Sequence, residues 1–185
     1  MLFRIFLACT CCIVVCSYYR PALALDTCDS LSIKAAPNFP IGSKPYGIVA
    51  ADFDRDGNVD VAVGSAETQS LSVLGGYGTG SLKPAENFPA GSSPRALATS
   101  DFNNDTNPDV AVVSGNNILI FMGSGNGSFS VGATLSAGSN NFNLISIGDF
   151  NGDGKADIVA TSGFDPHNIY FFLGTGSGSF GPYPR

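Results

Sequence analysis

Asp52-Phe53-Asp54-Arg55-Asp56-Gly57-Asn58-Val59-Asp60 sets acidic side chains at its first, third, fifth and ninth places and a glycine at its sixth. Alternating positions of a tight loop turn their oxygens toward one centre, and a hard cation such as Ca²⁺ takes about six to eight oxygen ligands, several of them anionic. Gly57 supplies the left-handed backbone needed where such a loop reverses, and the Asn58 carbonyl is the natural seventh-place ligand. The pattern returns at Asp101-Phe102-Asn103-Asn104-Asp105-Thr106-Asn107-Pro108-Asp109 and at Asp149-Phe150-Asn151-Gly152-Asp153-Gly154-Lys155-Ala156-Asp157. The candidate ligands are therefore Asp52, Asp54, Asp56, Asn58 and Asp60 in the first loop. The second offers Asp101, Asn103, Asp105, Asn107 and Asp109, and the third Asp149, Asn151, Asp153, Lys155 and Asp157, for up to three Ca²⁺ ions.

An EF-hand shares the first six places but needs a bidentate acid at the twelfth, and those places hold Val63, Val112 and Ala160. The competing reading, hairpin turns without metal, would leave several unneutralised carboxylates repelling one another around a point. The loops are not equal. The first has four aspartates and Gly57, the third keeps Gly154 but has Asn151, and the second has Asn103 and puts the β-branched Thr106 at the glycine place. Affinity is expected to fall in the order first, third, second, because a β-branched residue fits positive φ poorly.

Outward from the loops the chain repeats. Ser32-Ile33-Lys34, Asn38-Phe39-Pro40 and Gly42-Ser43 recur as Ser81-Leu82-Lys83, Asn87-Phe88-Pro89 and Gly91-Ser92, and Asp52, Asp101 and Asp149 keep nearly the same interval. Such a period marks one supersecondary unit per repeat. Apolar runs precede the loops (Ile48 to Ala51, Ala96 to Thr99, Leu144 to Ile147) and follow them (Val59 to Val63, Val110 to Val113, Ile158 to Ala160). A tight loop between two such runs predicts a β-hairpin, with strands buried on both faces. A third run (Leu71 to Leu74, Ile118 to Met122, Ile169 to Leu173) ends in a glycine-rich turn, as in Gly174-Thr175-Gly176-Ser177-Gly178-Ser179-Phe180, and a more polar fourth strand follows from Leu82 or Phe129. Four antiparallel strands per unit make a propeller blade. The fold class expected is all-β: a partial, about three-blade β-propeller of four-stranded antiparallel blades with calcium-binding hairpin loops.

The Asp-Phe-(Asp/Asn)-x-Asp-x-x-x-Asp loop and the Gly-x-Gly-x-Gly-Ser-Phe turn resemble the FG-GAP and VCBS-type repeats of the integrin-α N-terminal β-propeller. The likeness runs from about Ser32 to the C-terminus. It implies Ca²⁺ in the loop between a blade's first two strands, in a secreted or cell-surface protein concerned with adhesion or ligand binding. Family propellers commonly have about seven blades, and a closed ring needs about four or more; three loops imply an open sector, with exposed edges inviting self-association, or a fragment of a larger propeller protein.

Ahead of the repeats, Arg4, the apolar run Ile5 to Cys16 and Ala22-Leu23-Ala24 read as a secretory signal peptide (1–24) with cleavage after Ala24. A tail (25–31) and three units (about 32–80, 81–128 and 129–185) complete the division. The apolar run is shorter than the ~20 residues of a bilayer span, so no membrane span is expected after signal removal. Cys9, Cys11, Cys12 and Cys16 leave with the signal, and Cys28 alone cannot form an intrachain disulfide.

Ten of the fifteen carboxylates fall in the three loops, so the net charge of −6 reads as ligand inventory. An acidic chain without a basic patch excludes nucleic acid as partner. Catalysis is not expected: His167 stands alone as the single histidine, and no zinc spacing, phosphate loop or dinucleotide fingerprint is present. Phe121, Tyr170, Phe171 and Phe172 read as blade-packing core. The function expected is that of an adhesion or protein-interaction module outside the cell or on its surface. A lectin-like glycan-binding propeller is the alternative, with Tyr46, Tyr77, Tyr170 and Tyr183 as candidate sugar contacts.

Overall fold

Each acidic loop joins two strands of one sheet. In the computed structural model, which describes residues 38–136, 138, 141–163 and 168–182, the strands are β1 (Pro45–Ala51), β2 (Asp60–Ser65), β3 (Ser70–Leu74), β4 (Glu86–Pro89), β5 (Pro94–Ser100), β6 (Asp109–Ser114), β7 (Asn117–Gly123), β8 (Phe129–Ser136), β9 (Phe142–Gly148), β10 (Asp157–Ser162), β11 (Ile169–Gly174) and β12 (Phe180–Pro182). The proposed signal, the tail, Cys28, His167 and Tyr183 lie outside the described residues.

The strands form three four-stranded sheets, β1-β2-β3-β4, β5-β6-β7-β8 and β9-β10-β11-β12, and every neighbouring pair is antiparallel. The first strands β1, β5 and β9 lie beside one another, so the sheets stack face to face as successive blades of a partial propeller. The register is the same at each loop: Ala51 faces Asp60, Ser100 faces Asp109 and Gly148 faces Asp157. The ninth-place aspartate therefore opens the second strand of every blade.

Two apolar layers hold the sheets together. Between the first and second lie Phe53, Ala62, Leu71, Val73, Val110, Val112 and Phe121; between the second and third lie Phe102, Ala111, Val113, Ile118, Ile120, Phe142, Ile158 and Ala160. The second sheet is sandwiched, which is why all six residues of β6 are buried, as the continuous apolar run predicts. Phe121 is buried, while Tyr170 and Phe172 are half-buried and pack against the second layer.

The first strands depart from two-sided burial, with Ile48 68% and Leu144 61% exposed. Each is an edge strand, hydrogen-bonded on one side only. The fourth strand of the first blade starts at Glu86, later than the apolar pattern implies. Leu82 makes only an isolated bridge to Gly76, and Pro84 has no N–H for a ladder.

Candidate metal centre

The loops share one frame of hydrogen bonds, built by backbone N–H groups donating to the aspartates. The first-place carboxylate bridges the loop. Asp52 accepts from Asp56 N (3.1 Å) and Gly57 N (2.9 Å), Asp101 from Asp105 N (3.2 Å) and Thr106 N (2.7 Å), and Asp149 from Asp153 N (3.1 Å) and Gly154 N (2.8 Å). The third-place oxygen of Asp54, Asn103 or Asn151 accepts from the fifth-place N–H. The fifth-place carboxylate accepts from the seventh, so Asn58, Asn107 and Lys155 donate to Asp56, Asp105 and Asp153.

The ninth-place aspartate is buried and ties the loop to the glycine-rich turn of its own blade. Asp60 accepts from Phe53 N (2.8 Å), Asp54 N (3.2 Å) and Gly76 N (2.7 Å). Asp109 accepts from Phe102 N (2.9 Å) and Gly123 N (2.8 Å), and Asp157 from Phe150 N (2.9 Å) and Gly174 N (2.8 Å). The turn glycine is required by close approach: a Cβ on Gly76, Gly123 or Gly174 would strike the carbonyl oxygen of Val59, Pro108 or Ala156.

Left-handed backbone occurs at two places per loop. The sixth holds Gly57 (φ 87°), Thr106 (φ 71°) and Gly154 (φ 80°), and the fourth holds Arg55 (φ 59°), Asn104 (φ 60°) and Gly152 (φ 78°). The fourth place was not legible from the first two loops, where the residue is not glycine; Gly152 was the one hint.

These bonds act on the carboxyls. The Asn58 N–H first, then Lys83, holds the Asp56 carboxyl below the usual range. The N–H groups of Asn107, Gly154 and Lys155 do the same, as leading favourable contacts, for Asp105, Asp149 and Asp153. Asp109 goes the other way: burial pushes it up to about 6, against the opposing Gly123 and Phe102 N–H groups.

In the first loop, oxygens of Asp52, Asp54 and Asp60 lie within 4.8 Å of one another. Hard anionic oxygens converging this way suit Ca²⁺. A cationic group already marks the place: the Lys83 ammonium stands 2.9 Å from Asp54 Oδ2 and 3.3 Å from Asp56 Oδ2. Both carboxylates, Asp54 foremost, raise the lysine well above its ordinary range. In the third loop Lys155 Nζ reaches Asp153 Oδ2 at 3.1 Å. The second and third loops have an asparagine at the third place, so fewer anionic oxygens meet there. The fifteen candidate ligands are spread five to a loop, and among the described residues only Asp52, Asp54 and Asp60 bring three acidic side chains within 4.8 Å of one another. Asp56 and the acids of the second and third loops do not join such a group.

The loops also join the blades, which sequence reasoning did not anticipate. The Phe53 carbonyl accepts from Gly127 N (3.1 Å) in the next blade's glycine-rich turn, and the Phe102 carbonyl from Gly178 N (2.9 Å). Beside them Phe53 meets Phe129 edge-on at 5.3 Å and Phe102 meets Phe180 at 5.4 Å. Arg55 Nη1 donates to Asn107 Oδ1 (3.3 Å), and Asn104 Nδ2 to the Gly176 carbonyl (3.2 Å). The first and second loops thus lie on the turn of the following blade, whereas Phe150 of the third loop meets Phe171 of its own blade.

Stacked four-stranded antiparallel sheets with an acidic loop between the first two strands of each define a sector of a repeat-built β-propeller. The sequence profile of the FG-GAP-like repeat matches residues 56–112 and 101–160, and that of the FG-GAP repeat matches residues 142–179. The chain belongs to this FG-GAP repeat family, related to the integrin-α propellers. Among solved structures it is similar to an Agrocybe aegerita lectin that recognises non-reducing terminal N-acetylglucosamine. The identity is 18% and the TM-score 0.50, over 71% of this chain and 36% of the lectin chain. It is also similar to BBS1N, solved in complex with ARL6DN, with 13% identity and a TM-score of 0.55 over 74% of this chain and 43% of that one. The chain thus spans less than half the length of either structure. No curated protein matches it.

Proposed function

We propose that the chain is a secreted, calcium-stiffened FG-GAP module that binds a partner rather than catalyses a reaction. In this reading residues 1–24 direct export, 25–31 are a short tail, and the repeats of 32–185 present their surface loops outside the cell or on its surface, in adhesion or protein interaction. The observation that carries it is the threefold carboxylate frame: three loops with the same backbone-clasped aspartates and a donor set suited to Ca²⁺. Bound calcium would neutralise each loop and brace the hairpin and the junction beside it. FG-GAP propeller domains are typically non-enzymatic.

A glycan ligand is the second reading, favoured by the lectin neighbour and by a groove of about 540 Å³ where β1, β5 and β9 meet. Tyr46, 64% exposed, stands on its rim with Arg95 and Asn143, an aromatic beside polar donors. Self-association is a further reading of the partner, supported by exposed Leu144 and Ile169 on the third blade; so is service as three blades of a longer propeller protein. No nucleic-acid partner is proposed. Among the described residues no helix is long and apolar enough to cross a membrane.

The test is binding of the labelled chain to intact cells, in Ca²⁺ and in chelator, before and after enzymatic removal of surface glycans. Calcium-dependent binding that survives deglycosylation is the expected result. Loss on deglycosylation would select the glycan reading, and equal binding in chelator would contradict the role given to calcium.

A further inference from the structure

The first loop is the most acidic of the three and on charge alone should bind a divalent ion most tightly. The structure adds Lys83 to that comparison. Asp54 Oδ1 and Asp56 Oδ1 are taken by loop N–H groups, and the remaining Oδ2 of each accepts from the Lys83 ammonium, at 2.9 Å and 3.3 Å. One side chain therefore holds the outward oxygens of both the third-place and the fifth-place ligand.

The lysine is guided there. Its backbone N–H donates to the Gly75 carbonyl at 2.7 Å. Its stem runs over Gly75, where an added Cβ would come within 2.7 Å of Lys83 Cδ, and the Tyr77 ring centroid lies 6.0 Å from the ammonium. A cavity of about 230 Å³ adjoins the pair, lined by Lys83 and Glu86 together with Asp54 and Asp60 of the loop itself.

Among the described residues the other blades lack this arrangement. Gly76, Gly123 and Gly174 occupy equivalent places in the three turns, since each donates to its ninth-place aspartate. Counting on from them, the equivalents of Lys83 are Ser130 and Gly181. Among the described residues Lys155 in the third loop forms its ion pair with Asp153 alone, two residues away. Arg55 approaches the second loop but bonds to Asn107, an amide.

We propose that Lys83 is a tethered counter-ion of the first loop, which a divalent ion must displace, so that this loop holds its shape without metal and binds calcium more weakly than its four aspartates imply. The proposal rests on the calcium reading of the loops. It reverses the order of affinity that acid count gives: the third loop, with fewer carboxylates but no remote lysine, becomes the tighter site. Calcium entry at the first loop becomes an exchange of one cation for another, with the ammonium turning away from Asp54 and Asp56.

The test uses the full chain and Tb³⁺, a luminescent stand-in for Ca²⁺, with emission sensitised by Tyr77 reporting the first loop and the variant Tyr77→Phe identifying that signal. Calorimetry with Ca²⁺ follows all loops together. In Lys83→Met the Tyr77-reported affinity should rise about five- to tenfold, as expected for removing a competitor held by two partly exposed ion pairs, and the metal-free protein should melt lower. Lys83→Arg, which keeps the charge, should stay near wild type. Equal first-loop affinity in wild type and Lys83→Met, with binding intact elsewhere, would overturn this inference alone. No metal binding by any loop in either protein would overturn the calcium reading with it.

Discussion

Phe102 and Phe150 occupy the same place in successive loops, yet the stacking of blades gives them different work. Phe102 is 2% exposed, set edge-on against Phe180 of the following blade and packed in the layer between the second and third sheets. Phe150 is 43% exposed and meets Phe171 of its own blade at 5.5 Å. Truncating a buried phenylalanine to alanine removes its transfer free energy and leaves a cavity, a loss of about 3–5 kcal/mol. At Phe150 roughly half of the ring is already in contact with water, so the loss is about 1–2 kcal/mol. At the ~2–4 °C per kcal/mol typical of domains this size, Phe102→Ala should lower the melting temperature by about 10 °C and Phe150→Ala by about 4 °C. The assay is thermal or urea denaturation of both variants at one fixed calcium concentration. Equal losses, or a larger loss at Phe150, would refute the account of the first two loops as seats for the next blade.

Thr106 holds φ 71° at the place filled by Gly57 and Gly154. Thr106→Gly keeps the N–H that donates to Asp101 and relieves backbone strain, so it should stabilise the metal-free chain by about 0.5–1.5 kcal/mol, measured as the urea midpoint in chelator; a loss would contradict it. Asp109, pushed up to about 6 by burial from an ordinary 3.8, keeps its proton in the fold where the unfolded chain has released it. The folded state then binds more protons, so in chelator its contribution to stability is present at low pH and is lost as pH rises from about 4 through 6. Asp109→Asn should flatten that part of the melting-temperature profile, and an unchanged slope would contradict the assignment.

The loop frame was legible where it is local: side chains at the first, third and fifth places accept from N–H groups two to five residues further on. The ninth-place aspartate, by contrast, also reaches the glycine-rich turn, sixteen residues away in the first blade. The blades were legible because their apolar runs recur in register. What the sequence concealed depends on contacts between distant segments. Lys83 lies twenty-nine residues beyond Asp54 and arrives through the length of the Gly75–Leu82 turn. Gly127 reaches the Phe53 carbonyl only once two sheets are stacked, and the glycine-rich turn, read as a device for positive φ, is also the seat of the preceding loop. Left-handed Arg55 and Asn104 carry no glycine to announce them. The exposure of Ile48 and Leu144 follows from edge position in the sheet, which an apolar run does not disclose.

The central claim is that the three loops are structural calcium sites, and it is tested most directly by the thermal melt of the chain with millimolar Ca²⁺ and with chelator, each sample also run on a sizing column. The account predicts a large calcium-dependent rise in melting temperature, because ions bound only by the folded loops stabilise the fold by mass action. The same melting temperature in calcium and in chelator would contradict it and leave the aspartates as hydrogen-bonding residues of three turns.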